Sequence, residues 1–154
     1  MTLNSIRTPR ILLACVCLMI SAGCATMGGL SADMSRRDVL DAVDGLAAAY
    51  ATGNPDSFMA LVSVRYAGVY GALEERIAED MADVPGAVYV VKTGNITIDD
   101  TGRVEVEVEW ERNMVMGDVA TPDGSGAAVL VFDRFDSVLK LTDQRGDVPF
   151  PPET

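Results

Sequence analysis

"RVEVEVEWER", residues 103–112, decides the fold. Val104, Val106, Val108 and Trp110 alternate with Glu105, Glu107, Glu109 and Glu111. Successive side chains on a strand point to opposite faces. The stretch therefore reads as an antiparallel strand with one face on a core and the other in water. Four like charges at a period of two repel one another, so the pattern predicts basic neighbours on adjoining strands, drawn from Lys92, Arg134 or Lys140. A row of this kind reads as a solvated face rather than a cation site, because Ca²⁺ ligands converge around a loop instead of lining up.

Upstream, "AVYVVKTGNITI" (87–98) is a second strand with an irregularity at Gly94, joined to the first through the turn Asp99-Asp100-Thr101-Gly102. Downstream, "MGDVATPDGSG" (116–126) reads as a loop. "AAVLVFDRF" and "VLKLTD" then form a closing hairpin around Asp136-Ser137. Asp99-Asp100-Thr101-Gly102 and Asp123-Gly124-Ser125-Gly126 lack the alternating acids of a Ca²⁺ loop and read as turns. The end, "RGDVPFPPET", is Pro-rich and is expected to pack only at Phe150.

Before residue 87 the period is helical. Ser35 is an N-cap, with Asp38 favouring the positive helix end, and Val39, Leu40, Val43, Leu46, Ala47 and Tyr50 share one stripe until Gly53. Asn54 and Pro55 open a short helix carrying Phe58, Leu61 and Val62. A third helix places Leu73, Ile77 and Met81 on one face and ends at Pro85-Gly86.

The N-terminus is of another kind. Arg7 and Arg10 precede an uncharged run, Ile11 to Ile20, about half the ~20 residues of a membrane-spanning helix and the length of a secretory signal core. It closes on Ile20-Ser21-Ala22-Gly23-Cys24. That segment resembles the lipobox of bacterial lipoproteins, with Ser21 where Leu is commoner. The resemblance implies cleavage after Gly23 and a diacylglyceryl group on the Cys24 thiol, and two buried chains at ~0.8 kcal/mol per CH₂ make a stable anchor. Ala25 resembles the residue of lipoproteins sent on to the outer membrane. The expected organisation is a signal peptide over 1–23, a flexible tether over 24–34, a domain over 35–150 and a tail over 151–154. The expected location is the cell envelope, on the periplasmic face of the outer membrane.

Composition removes whole classes of chemistry. Without Arg7 and Arg10, ten basic residues face 23 acidic ones, a net charge of −13, which argues against nucleic acid and against anionic lipid heads. Cys15 and Cys17 leave with the signal peptide and Cys24 is the lipid site, so the domain has no disulfide. The chain has no histidine, which removes Ser-His and Cys-His nucleophiles, His-based acid–base catalysis and the usual zinc sites. No cofactor and no metal site are expected.

Helices followed by a long antiparallel sheet make an α+β order. "AAAYATGNPDSFMALVS" (47–63), the central strand and "GAAVLVFDRFDSVLKL" (126–141) together resemble the NTF2-like, SnoaL-like (cystatin-like) superfamily. Where many members carry Gly and Trp in the last hairpin, this chain has Ser137 and Leu139. The resemblance implies a cone: N-terminal helices packed on a curved antiparallel sheet of about four strands. It also implies a comparison with isomerase-like and dehydratase-like relatives, whose Tyr and Asp stand at the cone mouth. Their Tyr position corresponds here to Leu46, and their Asp position to "VRYAGVYGA" (64–72), which has no carboxylate.

Tyr50, Tyr66, Tyr70, Tyr89, Trp110 and Met114 are the candidate lining of a pocket at the open end. No catalytic residue is assigned. The sequence favours a lipid-anchored, non-catalytic module binding a small apolar ligand or an envelope protein, with a homodimer through the sheet face left open. The alternative is a small lyase or isomerase using cone-mouth Tyr and Asp. The two differ in one observable: the enzyme needs a buried carboxyl group in the cavity beside a Tyr or Arg, whereas the module has an apolar or filled cavity.

Overall fold

The structure is a computed structural model and describes residues 34–117 and 119–151. The expected signal peptide, Cys24, nearly all of the tether and residues 152–154 lie outside the described residues.

Among the described residues three helices, α1 (Arg36–Ala51), α2 (Pro55–Met59) and α3 (Tyr70–Asp83), precede four strands, β1 (Ala87–Ile98), β2 (Val104–Met116), β3 (Val119–Phe135) and β4 (Val138–Gly146). The strands form one antiparallel sheet in the order β1-β2-β3-β4. Each neighbour in sequence is a neighbour in space, which is why short turns suffice.

The helix ends follow from local chemistry. Ser35 and Asp38 form a reciprocal capping box at the start of α1, and Gly53 leaves the helix with φ +64. Asn54 Oδ1 accepts from the amides of Asp56 and Ser57, and Pro55 takes the first helical position. The buried stripe Val39, Val43, Leu46 and Tyr50 lays α1 across the sheet.

On β2, Val104, Val106, Val108, Trp110 and Arg112 are buried. The opposite parity faces outward. There Lys92 stands opposite Glu109, and Arg145 bridges Glu105 and Asp143. Of the three expected neutralising partners, Lys92 stands across from the glutamate row, and Lys140 opposes Asp133. Arg134 opposes Leu139 in the β3–β4 register and lines a hollow with Asp38 and Asp41 of α1. Arg145 takes the remaining role because β4 crosses β3 in register with Val129, within reach of β2.

Two expectations about chain path are corrected. Residues 116–126 are not a loop: β2 runs on to Met116 and β3 begins at Val119, pairing back along β2 through Met114↔Thr121 and Arg112↔Gly124. Asp123-Gly124-Ser125-Gly126 is accordingly strand, not turn. Its glycines serve packing. A Cβ on Gly126 would stand 2.5 Å from Asp147 Cβ and 3.1 Å from the Trp110 ring, so only hydrogen fits. Pro122 is tolerated because β4 pairs with β3 only from Ala128 onward, leaving the earlier part an edge. The tail also does more than seat one ring: Pro149, Phe150 and Pro151 are all buried, and Trp110 Nε1 donates to the Asp147 carbonyl.

Candidate functional site

The interior beneath the helices is an aromatic stack. Tyr50 from α1 lies 4.9 Å from Tyr89 of β1 and 5.7 Å from Phe58 of α2, centroid to centroid. Phe150, from the tail, sits between them at 5.6, 5.3 and 4.8 Å from Tyr50, Phe58 and Tyr89. Trp110 closes the row 6.0 Å from Tyr89. Such ring pairs contribute beyond the area they bury, by ≈ 0.5–1.5 kcal/mol each. Phe150 fills the centre of this stack.

A charged network caps the stack. Arg112 continues the inward parity of β2, and its Nη1 lies 2.8 Å from Asp80 Oδ1 and 3.0 Å from Oδ2. Its Nη2 pairs with Asp123, and the Tyr50 hydroxyl donates to Asp80. The side chains of Arg112, Asp80 and Asp123 are 7%, 15% and 22% exposed, so the network grades from interior to rim. The bulge in β3 makes this geometry. Arg112 opposes Gly124 while Asn113 opposes Pro122, so Asp123 is the extra residue and its side chain is re-aimed at Arg112.

Burial works against the charge on Arg112. Its hydrogen bond to Asp80, with the nearby Tyr89, Asp80 and Asp123, outweighs that and holds the guanidinium above its ordinary value. Burial, reinforced by the Asp80 carboxylate, pushes the Tyr50 phenol well up. Burial pushes Tyr89 up as well, with Arg112 opposing. Both phenols therefore stay neutral near pH 7. The Tyr89 hydroxyl, buried between Arg112 and Tyr50, interacts with both side chains without forming a well-aligned hydrogen bond to either.

Of the candidate lining residues the structure gathers Tyr50, Tyr89 and Trp110 around Phe150. Tyr66 and Tyr70 are half-buried elsewhere: Tyr66 Oη accepts from Gln144 Nε2 at 3.2 Å, and Tyr70 Oη donates to the Met59 carbonyl at 3.4 Å. Met114 is half-buried, opposite Ala87 and Thr121. The residues that sequence reading passed over are Asp80, Arg112 and Asp123. Parity along β2 places Arg112 inside, and Asp80 falls on the α3 stripe beside Ile77 and Met81. Asp123 has no such signal, because a bulge decides it. Among the described residues no three His, Cys, Asp or Glu side chains gather to hold a metal ion, and no helix is long and apolar enough to cross a membrane.

No family model matches the sequence, and no curated protein matches it. Solved structures do match the fold. A Xanthomonas campestris protein provisionally assigned as a calcium/calmodulin dependent protein kinase II association domain aligns at TM-score 0.60 and 15% identity, over 76% of this chain and 89% of that one. A Streptomyces avermitilis protein provisionally assigned as a dehydratase of the NTF2-like family aligns at 0.58 and 15%, over 70% and 91%. An NTF-2 like protein of unknown function from Shewanella oneidensis aligns at 0.55 and 14%, over 72% and 97%. At such identities the likeness concerns the fold alone. The chain has the NTF2-like fold, an open antiparallel sheet of four strands with helices packed across one face.

Proposed function

We propose that the protein is a lipid-anchored component of the bacterial cell envelope, held by a diacylglyceryl group on Cys24, and that its NTF2-like domain is a non-catalytic module binding a small apolar ligand or an envelope protein. The observation that supports the non-catalytic half is Phe150, fully buried at the centre of the aromatic stack, so that the chain's own ring fills this interior. The polar groups above it are also committed. Asp80 accepts from Tyr50 and from Arg112, and Arg112 is shared with Asp123, so these groups are engaged with one another.

The anchor rests on the sequence. A basic start, a ten-residue apolar core and a small-residue stretch directly before Cys24 are the pattern a lipoprotein signal requires. Native mass spectrometry of protein purified from its own membranes tests the reading, with a diacylglycerol mass on Cys24 and absence of residues 1–23 expected. A Cys24→Ser variant that is still processed and still extracts with membranes would sink the anchor.

One observation favours the second reading. Asp80 is a carboxylate near the interior, beside a phenol and a guanidinium, which is the constellation a lyase or isomerase would need. Turnover of a dehydratase- or isomerase-type substrate panel, abolished in Asp80→Asn while the fold is kept, would establish that reading over the first.

A further inference from the structure

The charge of this domain is unevenly spread. The first turns of α1, the link after α2 and the two turns β1–β2 and β3–β4 meet at one end. Met34, Asp38 and Asp41 share a hollow there with Arg134, Ser137 and Val138. The Arg65 guanidinium lies over the Phe135 ring at 5.9 Å, and Arg103 pairs with Asp133 at 2.9 Å. Six of the ten basic residues of the described chain thereby gather at this end: Arg36, Arg37, Arg65, Arg103, Arg134 and Lys140. Six acids accompany them, Asp38, Asp41, Asp99, Asp100, Asp133 and Asp136, so this end has no net charge. Elsewhere among the described residues fourteen acidic side chains face four basic ones, a net charge of −10.

The cations of this end are also available. Among the described residues Arg36, Arg65 and Lys140 form no ion pair, whereas the Arg112 guanidinium is held by Asp80 and Asp123. Beside them two apolar side chains stand in water, Val64 at 79% exposure and Val138 at 51%. The β2–β3 turn at the opposite end exposes apolar surface too, with Val119 at 64%, but Glu111 and Asp123 stand on the same two strands. Total charge sets the domain against an anionic lipid surface. Its distribution sets only part of the domain against it, because an end without net charge approaches headgroup phosphates while the acidic remainder is repelled.

We propose that this end is a membrane-contact surface, on which Arg36, Arg65 and Lys140 meet the headgroup phosphates of an anionic bilayer and Val64 and Val138 enter the headgroup layer. The proposal rests on the lipid-anchored reading and adds the surface that the domain presents to the bilayer. Ten residues of chain from Cys24 to Met34 span roughly 35 Å at full extension, a reach that leaves the choice of surface to the domain's own charge. Arg65, stacked on Phe135, and Lys140 each carry a long apolar stem below the charge, which suits a boundary between grease and water.

The test uses the lipidated chain purified from membranes and returned to vesicles of equal parts phosphatidylcholine and phosphatidylglycerol. With Cys24 blocked by lipid and Cys15 and Cys17 removed, an introduced cysteine is the sole free thiol. A nitrobenzoxadiazole label on Val64→Cys, Val138→Cys or Val119→Cys is exposed to a doxyl quencher carried on lipid. Quenching at Val64→Cys and Val138→Cys is expected to exceed that at Val119→Cys at least threefold. Arg65→Gln with Lys140→Gln should cut this excess at least by half, whereas Arg76→Gln with Lys92→Gln, which removes the same charge elsewhere, should leave it unchanged. Equal quenching at the three positions, or stronger quenching at Val119→Cys, would overturn the proposal. An equal effect of the two pairs of substitutions would overturn it as well. The mass of the same sample reports the diacylglyceryl group on Cys24 separately, so an anchored protein with equal quenching removes this surface and leaves the anchor standing.

Discussion

Nη1 of Arg112 lies within 3.0 Å of both carboxylate oxygens of Asp80, although one residue comes from the central sheet and the other from the last helix. This contact ties α3 to β2 across the top of the aromatic stack, and Asp123 completes it from β3. Three elements thus share one guanidinium.

Removing that guanidinium leaves two carboxylates poorly solvated and facing each other. Arg112→Ala is expected to destabilise the fold by about 3–5 kcal/mol. Asp80→Asn leaves Arg112 with Asp123 and is expected to lose less, about 1.5–3 kcal/mol. Urea denaturation of both variants checks the order. A loss below ~1 kcal/mol for Arg112→Ala would mean the pair is bathed in water.

The tyrosines set an alkaline limit. The folded-state phenols of Tyr50, Tyr66 and Tyr89 are all raised, burial being the first cause in each. Above about pH 10 the unfolded chain releases these protons and the native chain keeps them, so stability is full below that pH and declines as pH rises beyond it. The phenolate absorbance of these three is expected to appear together with loss of the fold. Their gradual titration in a protein still folded would contradict this.

Gly126 and Gly124 both lie over the Trp110 ring, at different clearances. A Cβ at position 126 meets Asp147 at 2.5 Å, whereas one at 124 stays 3.5 Å from the indole. Gly126→Ala is expected to cost about 1–3 kcal/mol and to loosen the Asp147 contact. Gly124→Ala should be nearly neutral. Trp110 is the sole tryptophan, so its fluorescence reports the difference, with a red shift expected for Gly126→Ala only.

The first cap is a purely local prediction. Ser35→Ala removes the hydroxyl that accepts from the Asp38 amide, at 3.2 Å, and is expected to cost about 0.5–2 kcal/mol in thermal unfolding. An unchanged melting curve would show that α1 is held by its buried stripe alone.

What the sequence determined by itself is whatever depends on a residue and its near neighbours. The period-two run of β2, the stripe of α1, the Ser35 and Asn54 caps and the hairpin at Asp136-Ser137 are all written locally, and the structure realises each of them. Arg112 and Asp80, which sequence reading passed over, stand where strand parity and helical spacing put them, although neither spacing says that the two will meet. Tertiary structure decided the rest. Gly124, Gly126 and Pro122 carry the composition of a loop, yet they form strand because β2 offers thirteen residues to pair with, and at Gly126 the Asp147 side chain and the Trp110 ring leave room only for hydrogen. Asp123 reaches Arg112 because one bulge turned it, and Phe150 fills the interior because the chain folds back after Gly146. These outcomes rest on contacts between residues far apart in sequence, and no local pattern encodes the space that such contacts leave.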